Sequence, residues 1–155
     1  MRWTILAFGK LKEPYWHGAL AEYTKRLGPY RPVEIVELQD ERVEAGQEAQ
    51  AMQREGERVL QALKPGAFLV ALWERGDQVD SEGLSRRLSA LDHEGHREVV
   101  FVLGGANGLA RSVLDRADWC LGLSKLTLPH QLARVFLIEQ LYRAERIRRG
   151  EPYHK

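Results

Sequence analysis

The sequence predicts an α/β fold, a three-layer domain with a mostly parallel sheet, on three observations. Short runs rich in β-branched and aromatic residues alternate with stretches whose apolar residues recur at helical spacing. One short run, Val99–Leu103, is apolar at every position, as expected of a strand that helices cover on both faces. The chain has 155 residues, of which 44% are hydrophobic, so it can bury one core but not two. We therefore expect a single domain over residues 1–155.

Five strands and several crossover helices are predicted in alternation. The predicted strands are Trp3–Phe8, Val33–Leu38, Phe68–Trp73, Val99–Leu103 and Trp119–Leu123. Apolar residues at helical spacing occupy the intervening stretches 16–27, 52–63 and 84–91. Segment 40–57 is rich in Glu, Gln and Arg and has few apolar residues, so we expect it to be the most mobile part of the chain.

The last helix carries more apolar residues than one buried face requires. Pro129 suits its first turn, and Thr127 is available as an N-terminal cap. The apolar positions that follow cover more than one stripe of the helix: Leu132, Val135, Phe136, Leu137, Ile138, Leu141, Tyr142 and Ile147. The surplus predicts a homodimer interface, and the alternative is a central helix buried within one chain.

Charge and cysteine content restrict the classes of function. Lys and Arg total 23 against 22 Asp and Glu, so any attraction to nucleic acid must come from local clustering. Basic residues do cluster from Arg134 to Lys155, where a solvated helix face is the alternative interpretation. The single cysteine, Cys120, excludes an intramolecular disulfide, and no apolar run approaches the roughly 20 residues of a membrane span. We expect a soluble, cytoplasmic protein without a membrane partner.

Two loops at predicted strand ends indicate a binding site. The glycine-rich stretch Gly104–Gly108 follows a buried strand, and Leu123–Leu128 follows the next one. In open α/β sheets ligands bind at the carboxyl ends of the strands, where Leu72 would add an apolar wall. The glycines match neither the dinucleotide fingerprint nor the P-loop, so we expect main-chain recognition of a neutral or zwitterionic small molecule. A purely conformational glycine turn is the alternative.

Motifs for covalent or metal chemistry are missing. No serine lies in a G-x-S-x-G elbow, and Cys120 lies between Trp119 and Leu121 like a small core residue. His93 and His96 lack the spacing of the H-E-x-x-H zinc motif, so we expect no metal. His130 opens the last helix beside the predicted pocket. What remains is a reaction in which a bound cofactor donates a group to a substrate held by basic and aromatic residues.

Several strings together resemble the ribosomal large subunit methyltransferase H family, which belongs to the SPOUT methyltransferases. They are I-L-A-F-G-K-L-K at the start, A-E-Y-T-K-R-L-G-P-Y from Ala21, G-G-A-N-G-L from Gly104, L-S-K-L-T-L-P-H-Q-L from Leu123, E-Q-L-Y-R-A from Glu139 and the terminal P-Y-H-K. The likeness covers nearly the whole chain at matching length.

The resemblance implies a C-terminal trefoil knot that binds S-adenosylmethionine, which periodicity alone does not predict. It also implies a homodimer that acts on assembled ribosomes and methylates N3 of a pseudouridine in 23S rRNA. By position, the implied cofactor contacts are Leu72, Gly104, Leu123, Ser124, Lys125, Leu126, Thr127 and Leu128. These residues belong to the strand ends at which the glycine pattern already predicts a site.

Within this mechanism the C-terminal residues are the candidate catalytic groups. His154 is a candidate base or substrate-orienting residue, and Tyr153 can stack on an extruded base. Arg134 and Arg143 are candidates to hold phosphate or developing charge, unless they pair with Glu139 in a structural role. A dimer could bring the tail to the other subunit's site. Two rival functions remain open: a non-catalytic ribosome-binding or RNA-binding factor of the same fold, and a flavodoxin-like oxidoreductase.

Overall fold

Five parallel strands form one sheet in a computed structural model that describes residues 1–155. The strands are β1 (Arg2–Phe8), β2 (Val33–Leu38), β3 (Phe68–Asp77), β4 (Glu98–Leu103) and β5 (Trp119–Leu121). Their order across the sheet is β2-β1-β4-β3-β5, and every neighbouring pair is parallel. The predicted α/β fold is confirmed, with β3 longer than predicted and β5 shorter by Gly122 and Leu123.

Five helices connect and follow the strands. They are α1 (Pro14–Leu27), α2 (Glu48–Ala62), α3 (Ser81–His93), α4 (Arg111–Arg116) and α5 (His130–Arg148). The sequence did not predict α4, because six residues are too few to show a helical period. Pro129 precedes the first helical residue of α5, and Thr127 makes no cap hydrogen bond, so the predicted cap was wrong. No helix has both the length and the apolar content to cross a bilayer.

The uninterrupted apolar run of β4 places buried side chains on both faces of the sheet. Val99, Phe101 and Leu103 belong to one core cluster, whereas Val100 and Val102 belong to the other. The first cluster includes residues of α1, α3 and α5, and the second includes residues of α2 and α4. Alternating side chains of one strand therefore bind two helical layers, which confirms the three-layer prediction.

Helix α5 packs between α1 and α3 on the face of β4. Its residues Leu137, Ile138 and Leu141 are fully buried within this one chain. Much of the surplus apolar surface of α5 is thus covered by its own domain, as the central-helix alternative requires. Leu132 stays 38% exposed and Phe136 is half-buried, so these two residues remain available to a partner. The homodimer stays a prediction.

The acidic segment expected to be mobile contributes to the core in part. Residues 48–57 belong to α2, whose Glu55 and Gly56 are buried. Gly56 allows α2 to approach the start of α4, because a Cβ there would lie 2.7 Å from the Cβ of Ala110. The low count of apolar residues wrongly indicated mobility, because a glycine and a glutamate occupy buried positions of this helix.

A buried ion cluster joins the ends of α3 and α5 to the loop after α1. Arg31, 6% exposed, donates from Nε to Glu145 at 2.7 Å and from Nη2 to Asp92 at 2.5 Å. Burial by itself would raise the pKa of Asp92, but the hydrogen bonds and charge of Arg31 outweigh it and hold that pKa below its ordinary value. The ionised form of Asp92 is therefore the form that the fold favours.

We expect Asp92→Asn to lower the free energy of unfolding at pH 7 by about 1–2 kcal/mol, because a charge-assisted bond becomes a neutral one. A group with a lowered pKa stabilises the fold above its unfolded pKa and loses that effect as the pH falls through the folded value. The difference between wild type and variant should thus shrink below about pH 4. Urea unfolding at several pH values measures it, and Asp115→Asn, in an exposed pair with Arg111, is the control. An equal difference at pH 7 and pH 3 would contradict this assignment.

Candidate cofactor site and C-terminal tail

A cavity of about 650 Å³ opens at the carboxyl ends of β3 and β4. Three segments enclose it: the end of β3, the glycine loop 104–108, and the loop from β5 into α5. The lining residues are Leu72, Trp73, Glu74, Leu103, Gly104, Gly105, Ala106, Asn107, Gly108, Leu109, Leu123, Ser124, Leu126, Thr127, Leu128, Pro129, His130 and Ala133. The two loops meet at this cavity, as the sequence predicts.

The cofactor residues implied by the resemblance largely converge on this cavity. Leu72, Gly104, Leu123, Ser124, Leu126, Thr127 and Leu128 all line it, whereas Lys125 is exposed and does not. The Ser124 hydroxyl accepts a hydrogen bond from the Leu126 N–H at 2.9 Å, which shapes the loop. Asn107 lines the cavity as part of the predicted glycine loop. Trp73 and Glu74 also line it and were missed, because β3 was predicted to end at Trp73 and a single sequence does not show where side chains at a strand end point.

The glycine loop is a tight turn that only glycine can form at its first position. A Cβ on Gly104 would lie 2.7 Å from the carbonyl carbon of Gly108. Gly108 has a φ of +78°, which favours glycine, and its N–H donates to the Gly105 carbonyl at 3.1 Å. The loop therefore brings bare main chain to the cavity wall, as recognition of a ligand by backbone groups requires.

The second loop is held by a close contact between β3 and β5. A Cβ on Gly76 would lie 2.7 Å from backbone atoms of Cys120 and Leu121. The pairing is irregular here, because both Leu72 and Asp77 pair with Leu121. The Gly122 N–H then donates to the Asp77 carbonyl at 2.9 Å. This contact fixes where Leu123 leaves the sheet to enter the cavity wall.

The C-terminal tail docks on α5 of the same chain. The Tyr153 hydroxyl donates to Glu139 at 3.1 Å, and its ring packs edge-on against Tyr142 with centroids 4.8 Å apart. Burial, with help from hydrogen bonds to Tyr23 and Glu139, raises the pKa of Tyr153 well above its ordinary value. Tyr153 is therefore a neutral phenol at physiological pH, and its stacking on an extruded base stays a prediction.

His154 lies beside the cofactor cavity rather than in it. It lines a second cavity of about 420 Å³ together with residues of α3 and α5, and Leu123 forms the wall between the two cavities. The Nδ1 atom of His154 lies 3.3 Å from Nη1 of Arg143. Since the guanidinium can only donate, Nδ1 accepts and the ring proton resides on Nε2. The two candidate roles of His154, base and substrate-orienting residue, both stay predictions.

The two candidate arginines occupy different environments. Arg143 pairs with Glu139 at 2.5 Å and lies over the Tyr153 ring at 4.7 Å, so it holds the tail. Its hydrogen bond to Glu139 is the largest cause that raises the Arg143 pKa. Arg134 is 2% exposed, lines neither cavity of the site and bonds to Glu37 and to the carbonyls of Phe8 and Gly9. Within this chain Arg134 connects α5 to the end of β1, and its partner is not Glu139.

The two histidines considered for metal binding make local contacts, and the single cysteine is half-buried. His93 bonds to the Ser89 carbonyl and His96 contacts Glu94. No three His, Cys, Asp or Glu side chains are grouped as a metal site would need. Burial raises the pKa of the half-buried Cys120, in keeping with a packing role.

Comparison with known proteins gives a family and a fold. A solved structure of a "putative methyltransferase" from Legionella pneumophila, in complex with the bound cofactor S-adenosylmethionine, superposes with a TM-score of 0.51 at 10% identity. The match covers 93% of this chain and 66% of that one, so the chain spans just under two thirds of that protein, and the likeness shows the fold alone. The family model described as "Predicted SPOUT methyltransferase" matches residues 1–154. The chain therefore belongs to the SPOUT methyltransferase family.

Proposed function

We propose that this protein is an S-adenosylmethionine-dependent methyltransferase that acts as a cytoplasmic homodimer on assembled ribosomes, where it methylates N3 of a pseudouridine in 23S rRNA. The observation that carries the proposal is the meeting of the glycine loop and the 123–128 loop in one cavity of a SPOUT family chain. The trefoil knot implied by the resemblance stays a prediction.

The cavity suits the proposed cofactor in size and chemistry. Its volume, about 650 Å³, lies within the range of sites for ligands of this class. Leu72, Leu123 and Leu128 give it apolar walls, and the glycine loop exposes main-chain groups. No Lys or Arg lines it, so a triphosphate would find no cation there. A cofactor with a zwitterionic amino acid end and an apolar ring matches these features better.

The chain's own residues would serve the transfer by position and charge. S-adenosylmethionine supplies an electrophilic methyl group, so no protein nucleophile is needed. The two loops would hold the donor for an in-line approach of the ring nitrogen, and the N3 proton would pass to solvent water. Arg143, which pairs with Glu139, would hold the tail in position beside the uracil ring. His154 would orient that ring through its Nε2–H.

The proposal is tested by transfer of labelled methyl from S-adenosylmethionine to assembled ribosomes that lack the modification. We expect a methylated pseudouridine, identified by the mass of the product nucleoside. Ribosomes whose target uridine is not isomerised to pseudouridine are the control and should accept far less label. Retained cofactor binding without transfer would support the non-catalytic ribosome-binding factor instead. A coloured or nicotinamide-dependent preparation would support the oxidoreductase.

A further inference from the structure

Glu55 on α2 is a buried carboxyl group with almost no hydrogen-bond support. Its side chain is 3% exposed, and its Oε1 atom has no partner. Oε2 accepts one long bond, 3.3 Å, from the Glu41 N–H. A buried carboxylate usually accepts several hydrogen bonds or pairs with a cation, so its position calls for a physical account.

Glu55 lies directly behind the glycine loop of the cofactor cavity. A Cβ on Gly105 would lie 3.5 Å from Oε2 of Glu55 and 3.8 Å from Oε1. Gly105 itself lines the cavity. The carboxyl group is therefore separated from the cavity by the thickness of one main-chain segment, and no side chain of Gly105 intervenes.

The charged groups around Glu55 provide no dedicated counter-charge. Burial raises the pKa of Glu55, and the charges of Asp40 and Glu41 add to that effect, whereas the Glu41 N–H and Arg58 oppose it. Arg58 is already engaged with Glu41 and with the Gln39 carbonyl. The glycine loop carries no titratable side chain. A cation placed in the cavity would fill the electrostatic role that this chain leaves open.

We propose that Glu55 is a specificity-determining residue that makes the cavity prefer S-adenosylmethionine to S-adenosylhomocysteine. This inference rests on the proposed function. The two ligands share nearly all atoms, but the sulfonium of the donor carries a positive charge and the thioether of the product does not. A carboxylate buried behind bare main chain favours the charged ligand through a medium that screens weakly. It would thereby assist donor entry and product release.

Glu74 offers the competing explanation, because it also lines the cavity. Its side chain is exposed, so water and salt screen its charge. Glu57 is exposed on the same helix as Glu55 and lines neither cavity of the site. Glu57→Gln is therefore the matched control for Glu55→Gln, and Glu74→Gln tests the competing explanation, since each removes one charge with little change of shape.

Calorimetric titration of both ligands at pH 8 tests the inference. We expect Glu55→Gln to lower the ratio of the Kd for S-adenosylhomocysteine to the Kd for S-adenosylmethionine by about fivefold to tenfold, as the loss of one nearby charge in a weakly screening medium allows. Glu57→Gln should stay within about twofold of the wild-type ratio. A parallel loss of affinity for both ligands, or a larger change in Glu74→Gln, overturns the inference. If neither ligand binds the wild type, both the proposed function and this inference fail.

The pH dependence of the same ratio gives a second test that needs no folded Glu55 variant. Because its pKa is raised, Glu55 gains a proton at a higher pH than an ordinary glutamate, and the wild-type ratio should fall as the pH is lowered and that proton is gained. His130 is a titratable group on the cavity wall, and His130→Gln should retain the trend. A wild-type ratio that does not fall as the pH is lowered overturns the inference.

Discussion

Replacing Gly104 by alanine should weaken S-adenosylmethionine binding by about a hundredfold, which is about 2.7 kcal/mol. The added Cβ would lie 2.7 Å from the carbonyl carbon and 3.0 Å from the Cα of Gly108, and both are main-chain atoms that no rotamer change can move. The turn must therefore open, and the main-chain groups at the cavity wall move with it. Overpacking of this kind typically costs about 1–3 kcal/mol in stability as well, so the variant should remain folded at 25 °C. Calorimetric titration measures the affinity.

Gly18→Ala is the matched control, because a Cβ at that position in α1 meets nothing within 4 Å. We expect unchanged cofactor affinity and a gain of about 1 kcal/mol in the free energy of unfolding, since alanine favours the helix. Thermal unfolding of both variants separates loss of the turn from loss of the fold. Wild-type affinity in Gly104→Ala would mean that the turn does not shape the site.

The location of the site could be predicted from sequence because it depends on chain order. Gly104 and Leu123 each follow an apolar strand, and parallel strands end at the same edge of a sheet. No knowledge of side-chain direction is needed for that step. The same reasoning placed His130 at the start of α5, on the cavity wall where the structure has it.

Features that depend on three-dimensional neighbours could not be predicted in this way. Glu55 looks like one more surface carboxylate in a segment rich in Glu, Gln and Arg, and only the packing of α2 behind the glycine loop shows its burial. Arg134 was considered for its charge, but its partner Glu37 is distant in sequence. The apolar surplus of α5 had two explanations, because sequence periodicity cannot tell a partner chain from the neighbours α1 and α3.

The tail also could not be placed from sequence, and its position has consequences for catalysis. Contacts of Tyr153 with Glu139 and Arg143 hold the tail on α5. His154 therefore lines the second cavity, and Leu123 lies between His154 and the cofactor cavity of the same chain. Under the proposed function, binding of the cofactor and contact with the acceptor base would therefore be functions of separate surfaces. A change in the tail should alter the transfer step much more than cofactor binding.

Deleting residues 153–155 should lower methyl transfer to ribosomes at least about a hundredfold, because the acceptor base loses its orienting groups. The Kd for S-adenosylmethionine should stay within about twofold, since neither Tyr153 nor His154 lines the cofactor cavity. Transfer under single-turnover conditions and calorimetry measure the two effects. Lys155→Ala removes only the last side chain and its charge, and it should retain most of the activity. Equal losses in transfer and in cofactor affinity would contradict the separate roles.

Mixed dimers extend this prediction to the question of which subunit's tail serves each site. One subunit carries the tail deletion and the other carries Gly104→Ala, and S-adenosylmethionine is kept well below the Kd of the Gly104→Ala variant, so both homodimers have little activity. Because Leu123 separates His154 from the cavity of its own chain, we expect the tail to serve the partner's site. Random pairing at equal amounts then gives one working site in half of the dimers, or about a quarter of wild-type activity. Activity at the background of the separate variants would instead assign each tail to its own subunit, because no subunit in the mixture has both an intact cavity and an intact tail.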